Sequence, residues 1–260
     1  MPAVFVFGIG SRMLSHFLAG PWLAPKHLLW MWQGFLTTLW LSLLVAVFAT
    51  LLGIVLASAR ASTIAPLRNA AACYTSLFRN TPLLVQLLFW YFGVPSLFPE
   101  GTMDWLNADH VLNLFGPLSL RWPSFEFLSA WCGLVCYSTA YVGEEIRSGL
   151  RGVPAGQALA GAAIGMTRLQ VLRHIVLPQA IRLILPSLLG QYMNILKNTS
   201  LTMGIGLAEL SYASRQVESE TFLAFQAFGV ATVLYIAAIA LLDALGQAHL
   251  RARRTRQGRA

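Results

Sequence analysis

Two short clusters set a cation beside hydrogen-bonding side chains within otherwise apolar sequence: Arg79-Asn80-Thr81 and Lys197-Asn198-Thr199-Ser200. A charge at mid-bilayer costs at least about 2.5–3.5 kcal/mol on insertion scales, so a cation held there is a functional candidate. The chemistry it offers is recognition of a carboxylate. Arginine grips one through two parallel bonds, whereas lysine acts as a point charge. Arg79 lies eleven residues beyond Arg68, roughly 16 Å along a helix. Lys197 lies fifteen residues beyond Arg182, roughly 22 Å by the same rise. Both are expected well inside a span or toward its outer end, and both clusters are expected to line a solute path. Pro82 breaks the helical ladder next to Arg79. Two other placements fit the same pattern: Arg79 snorkelling or paired with Glu144 or Glu145, and Lys197 reaching the outer headgroups. Gln86 joins the path set, with Gln191, Tyr192 and Asn194 behind it, although such amides also join helices to one another. The histidines at 16, 27, 110, 174 and 249 form no metal or catalytic spacing. Glu126, Glu144, Glu145 and Asp243 stand at span ends, so the spans lack the buried acid–base pair an intramembrane enzyme needs.

The elements that must position these residues are membrane helices. The chain has 260 residues, 57% hydrophobic and 11% charged, with mean hydropathy +0.63. Soluble domains carry about 25% charged residues. Residues 28–59, 80–99, 127–143 and 221–242 hold no Asp, Glu, Lys or Arg. A bilayer core needs about 20 apolar residues per helix, and only helices satisfy their own backbone groups in lipid. Five spans are expected, at residues 31–59, 70–94, 126–143, 176–203 and 221–242. Polar loops are expected at 96–125 and 204–220. The fold class is an all-α membrane protein. Residues 1–29 are assigned to an interfacial, outer N-terminal segment and 30–247 to one membrane domain. Residues 248–260 form a basic tail rich in arginine. The net charge of +8 reads as juxtamembrane arginine rather than nucleic-acid binding. Arg60, Arg68, Arg147, Arg151, Arg168, Arg173, Arg182 and the tail fall on one side, which puts the C-terminus inside and the N-terminus outside. Cys73, Cys132 and Cys136 read as small buried hydrophobes.

Residues 145–178, EIRSGLRGVPAGQALAGAAIGMTRLQVLRHIVLP, are polar at the edges and small in the middle. Pro154 suits a first helical turn and Gly165 a stop. Small side chains anchor poorly in lipid but let another protein approach the backbone. The alternative is a solvated connector whose arginines only set topology.

The spacing from Leu159-Ala160-Gly161 through Gly165 to Leu177-Pro178 resembles the EAA loop of ABC importer permeases. FRNTPLLVQLLFWYFG at 78–93 and LKNTSL at 196–201 resemble two further motifs of the polar amino-acid branch, and among its members the glutamate/aspartate-type permease is the most similar. The similarity runs over residues 30–245. It implies a type I ABC importer permease core with a cytoplasmic coupling helix, in an inner membrane. The coupling role falls on Arg151, Pro154, Gln157, Leu159, Ala160, Gly161, Gly165, Arg168, Leu177 and Pro178. The family's EAA glutamate falls at Leu159 and its second alanine at Gly161, so a direct charge contact from that glutamate is absent here.

The resemblance also implies partners: a cytoplasmic ATPase dimer, a second permease (a homologous chain or a second copy), a periplasmic solute-binding protein and an amino-acid substrate. ATP belongs to the partner, and no cofactor is expected on this chain. No GxxxxGK[ST] phosphate loop occurs in it. Glutamate or aspartate is the expected solute, with glutamine or another neutral or basic amino acid as the alternative.

Overall fold

The computed structural model describes residues 22–108, 111–115, 118–121 and 123–257. The apolar N-terminal run at residues 3–9 lies outside them. The first helix, α1 (Pro25–Arg60), starts on a proline that fits a first turn. The next element, expected as a span over 70–94 with a local break at Pro82, is broken there. α2 (Ala65–Asn80) ends at an extended Thr81, and α3 (Leu83–Leu88) continues through a π turn (Phe89–Gly93) and a 3₁₀ turn (Val94–Leu97). Pro82 is the cause, because its ring excludes the helical conformation from the residue before it. Gln86 closes the break: its side-chain amide donates to Phe78 O at 3.0 Å and to Thr81 O at 3.1 Å.

The segment expected as a polar loop at 96–125 contains α4 (Thr102–Asn107) and an antiparallel pair, β1 (Val111–Phe115) and β2 (Leu118–Arg121). α5 (Phe125–Arg151) follows, capped by the Ser124 side chain, and overruns its expected end at 143 by two turns. After α6 (Ala155–Ala163) comes one long rod: α7 (Arg168–Val171), a π turn (Leu172–Val176), α8 (Leu177–Asn198) and a 3₁₀ turn (Thr199–Ile205). The π turn sits where Pro178 would otherwise leave a ladder position without its donor. The rod therefore begins eight residues earlier than the expected 176. The segment at 204–220, expected as a loop, folds largely into α9 (Leu210–Thr221). The last helix, α10 (Ala224–Gln257), carries straight on through most of the stretch assigned to a separate tail.

α5 is the central helix, packed most extensively on α1 and next on α8. Leu41 and Val45 of α1, Leu87 of α3, Leu134 of α5 and Ile195 of α8 form one buried cluster. Met31 and Phe35 of α1 join Leu210 and Val217 of α9 and Ala231 of α10 in a second. Among the described residues, three helical stretches are long and apolar enough to cross a membrane by length and composition alone: Pro25–Arg60, Arg168–Ile205 and Ala224–Leu250. α5 is more polar because its neighbours shield it; Ser129, Ser138 and Thr139 are buried there. Cys73 is exposed rather than buried, and all three cysteines are free.

Candidate functional site

The Arg79 cluster sits where the second span breaks. Arg79 closes the last turn of α2 and its side chain is exposed. Its guanidinium carbon lies 5.1 Å from the centre of the Tyr141 ring on α5, a cation–π contact. The cluster opens into a cleft of about 410 Å³ whose lining includes Arg60, Ser76, Arg79, Asn80, Tyr141 and Glu144. Glu144 accepts from Arg60 Nε at 3.3 Å and from both Nε and Nη2 of Arg147. The pairing expected as an alternative for Arg79, with Glu144 or Glu145, is thus not formed. Glu144 goes to Arg60 and Arg147, and Glu145 faces Gln191 at 3.4 Å. Among the described residues no carboxylate lies within ion-pair distance of Arg79. The cleft thus carries two guanidinium groups against one carboxylate, and that carboxylate is already shared. Such a site is suited to an incoming carboxylate, which Arg79 can grip with two bonds.

Asn80 lines the cleft and donates to Ser76 Oγ at 3.1 Å. Thr81 donates to Leu77 O at 2.9 Å and accepts from Gln86 at 2.7 Å. Gln86 is buried, and its amide hydrogens are committed to the helix break. Its place is structural, facing the break rather than the cleft.

The Lys197 cluster does not line that cleft. Lys197 is exposed in the last turn of α8, and Asn198 is half-buried beside it. Thr199 is fully buried and donates to Leu196 O at 2.8 Å, while Ser200 donates to Lys197 O at 2.7 Å. Both hydroxyl hydrogens serve their own backbone turn. The two clusters lie on different elements: the first ends α2, and α3, which follows it, packs on the 3₁₀ turn after α8. Sequence reasoning missed Arg60 and Tyr141 as cleft residues. The signal available was that Tyr141 and Glu144 lie three apart on one helix face.

The second candidate region is α6 and its flanks. Pro154 takes the N-cap position, one residue before the first turn. Gly165, at φ +85°, ends the helix in the left-handed region and closes it through its N–H to Ala162 O at 3.0 Å. Gly161 faces inward: an added Cβ would stand 2.6 Å from Ile175 Cδ1 and 3.0 Å from Val171 Cγ2. α6 is therefore clamped onto the root of the long rod. Thr167 and Gln170 cap the start of that rod reciprocally. Arg151, Gln157, Leu159, Ala160, Arg168, Leu177 and Pro178 are all exposed. Val153 is buried with Ala180 and Ile184, which ties the connection to α8.

Comparison with known proteins agrees with this architecture. Residues 49–256 match the family described as "Binding-protein-dependent transport system inner membrane component". The chain is 33% identical to the probable amino-acid ABC transporter permease protein PatM of Vibrio harveyi, over 72% of this chain and 75% of that one. It is 31% identical to the glutamate/aspartate import permease protein GltJ of Escherichia coli K12, over 81% of each. A crystal structure of an amino acid ABC transporter with histidines superposes with a TM-score of 0.74 at 29% identity, covering 87% of this chain and 95% of that one. The chain belongs to the binding-protein-dependent transport system inner membrane components, the permeases of ABC importers.

Proposed function

We propose that the chain is the translocating subunit of an ATP-driven amino-acid importer and that its solute is glutamate or aspartate. The observation that carries the substrate class is the cleft in which Arg79, unpaired by any described carboxylate, faces solvent beside Arg60 and Asn80. A cationic recess at a helix break suits an α-carboxylate, and its second guanidinium suits a side-chain carboxylate. The likeness to a glutamate/aspartate permease supports the same choice. Import of another polar amino acid is the second reading. It is favoured by Glu144 at the cleft wall, which offers a partner to an ammonium group.

In this reading the chain performs no bond chemistry and holds no cofactor. A separate ATPase dimer burns ATP and docks on α6, a second permease completes the path, and a periplasmic binding protein delivers the solute. The arginine asymmetry sets the C-terminus inside and the N-terminus outside. ATP-driven closure of the ATPases then moves α6, and the long rod to which it is clamped carries that movement into the membrane. The test is uptake by a complex carrying Arg79→Leu. Uptake falls at least about tenfold, the loss of one charge-assisted carboxylate contact, while the assembled complex retains its ATPase. Unchanged uptake removes Arg79 from the path.

A further inference from the structure

We infer that Tyr141 is the positioning residue for Arg79: it holds the guanidinium where an incoming carboxylate can use it, and so sets the affinity of the cleft. This rests on the reading above, in which Arg79 grips a solute carboxylate. Two contacts from one side chain carry it. The Arg79 guanidinium carbon lies over the Tyr141 ring, 5.1 Å from its centre. The Tyr141 hydroxyl donates to Arg79 O at 3.4 Å. That carbonyl belongs to the last turn of α2, where a helix has no backbone donor left for its own carbonyls. Leu77 O and Phe78 O are served from within the same broken span, by Thr81 and Gln86. Arg79 O is served from α5, by Tyr141. One side chain of the central helix therefore ties down both the backbone and the cation of Arg79, at the edge of the helix break.

The kind of contact matters as much as its place. A carboxylate partner would restrain Arg79 by occupying its N–H donors, the groups that grip a solute carboxylate. A ring face attracts the cation through its quadrupole and occupies none of them. The structure keeps the two roles apart. Glu144, one turn from Tyr141 on α5, is held by Arg60 and Arg147, and no described carboxylate lies within ion-pair distance of Arg79. The ring is itself braced. Tyr137 lies one turn back, its ring centre 4.8 Å from that of Tyr141, and Tyr137 packs on the buried cluster that contains Leu87 and Leu134. Arg79 thus rests on a stack that begins in the core. A free arginine side chain loses much rotamer freedom when it binds. One already seated on a ring loses less, and such pre-organisation raises affinity.

The test is equilibrium binding of radiolabelled glutamate and aspartate to the assembled permease–ATPase complex in detergent, without binding protein. Wild type is compared with Tyr141→Phe, with two ring-less variants, Tyr141→Met and Tyr141→Leu, with Arg79→Leu, and with each ring-less change combined with Arg79→Leu. The ring-less variants are expected to weaken binding roughly three- to tenfold, the worth of one cation–π contact. Tyr141→Phe keeps the ring and is expected to regain most of that loss, binding within about twofold of wild type. In the Arg79→Leu background the ring-less changes are expected to add less than about twofold, because Tyr141 acts through Arg79. A loss that carries over in full to that background overturns the inference, since it makes the tyrosine merely structural. So does failure of both ring-less variants to assemble, or Tyr141→Phe binding as weakly as they do. Ring-less variants that bind like wild type while Arg79→Leu does not also overturn it, and leave the path role of Arg79 standing. Arg79→Leu that binds like wild type, or a wild-type complex that binds neither amino acid, overturns the reading of Arg79 and this inference with it.

Discussion

Gly149, in the last turn of α5, packs so closely on α8 that an added Cβ would stand 2.0 Å from Ile184 Cγ1 and 3.3 Å from Ala180 O. The contact lies two residues before the chain leaves α5 at Arg151 and enters the short connection to α6. It locks the central helix to the long rod at the level where the candidate docking segment begins. Ile184 is β-branched and stiff at χ1, so it cannot swing away cheaply. Gly149→Ala is expected to destabilise the protein by about 1–3 kcal/mol, the usual cost of overpacking. Thermal unfolding in detergent reads this out. The double variant Gly149→Ala/Ile184→Ala is expected to recover part of the loss. Additive losses would show that the two helices do not meet there.

Gly165→Ala tests the turn that ends α6. A non-glycine residue in the left-handed region costs roughly 1–2 kcal/mol. The cost falls on the candidate docking segment rather than on the buried core. ATP-driven uptake is expected to fall while the unfolding temperature shifts little. A large fall in unfolding temperature with normal uptake would place the role of this turn in global stability instead.

The Glu209 carboxylate is fully buried at the start of α9. It accepts from Tyr212 N at 2.8 Å, from the Tyr235 hydroxyl at 2.8 Å and from Thr38 at 3.4 Å, so one side chain joins α1, α9 and α10. Burial raises its pKa, and the backbone and hydroxyl donors only partly offset that effect. The folded protein therefore binds the Glu209 proton more tightly than the unfolded chain does. Stability is expected to fall as pH rises from the ordinary carboxylate range through the raised value, then to level off. Glu209→Gln removes that slope and keeps the acceptor for Tyr235. Glu209→Ala removes the cap and the buried acceptor that Tyr235 and Thr38 share, leaving Tyr235 only Ser211 Oγ at 3.1 Å, at a cost of about 2–4 kcal/mol. Unfolding measured across pH for the three proteins distinguishes these outcomes. An identical slope in wild type and Glu209→Gln would assign the titration to another group.

The sequence disclosed the parts of this fold that rest on composition and on Pro and Gly. The uncharged run at 28–59 lies within α1, and all but the first three residues of the run at 221–242 lie within α10. Pro154 and Gly165 bracket α6 within two residues. α9 was not legible because its exposed face is polar. Its buried residues Leu210, Ala213, Ser214 and Val217 do follow a helical period, and Glu209 stands at the capping position before them. The start expected at 176 is no boundary, because a π turn carries the helix through it inside a continuous rod. At the candidate site, Arg79 and Asn80 were legible as polar groups in apolar sequence. Arg60 and Tyr141 were not, because only the packing of α1, α2 and α5 brings them to the same cleft.

The central claim is import of an acidic amino acid, and uptake measures it most directly. Proteoliposomes would hold this chain with its ATPase, its partner permease and its binding protein, and would be offered radiolabelled glutamate, aspartate, glutamine and arginine. The account predicts ATP-dependent uptake of glutamate or aspartate, no uptake of arginine, and loss of uptake with Arg79→Leu. ATP-dependent uptake of arginine or glutamine alone would contradict the substrate assignment. Absence of ATP-dependent uptake for every amino acid would contradict the importer reading itself.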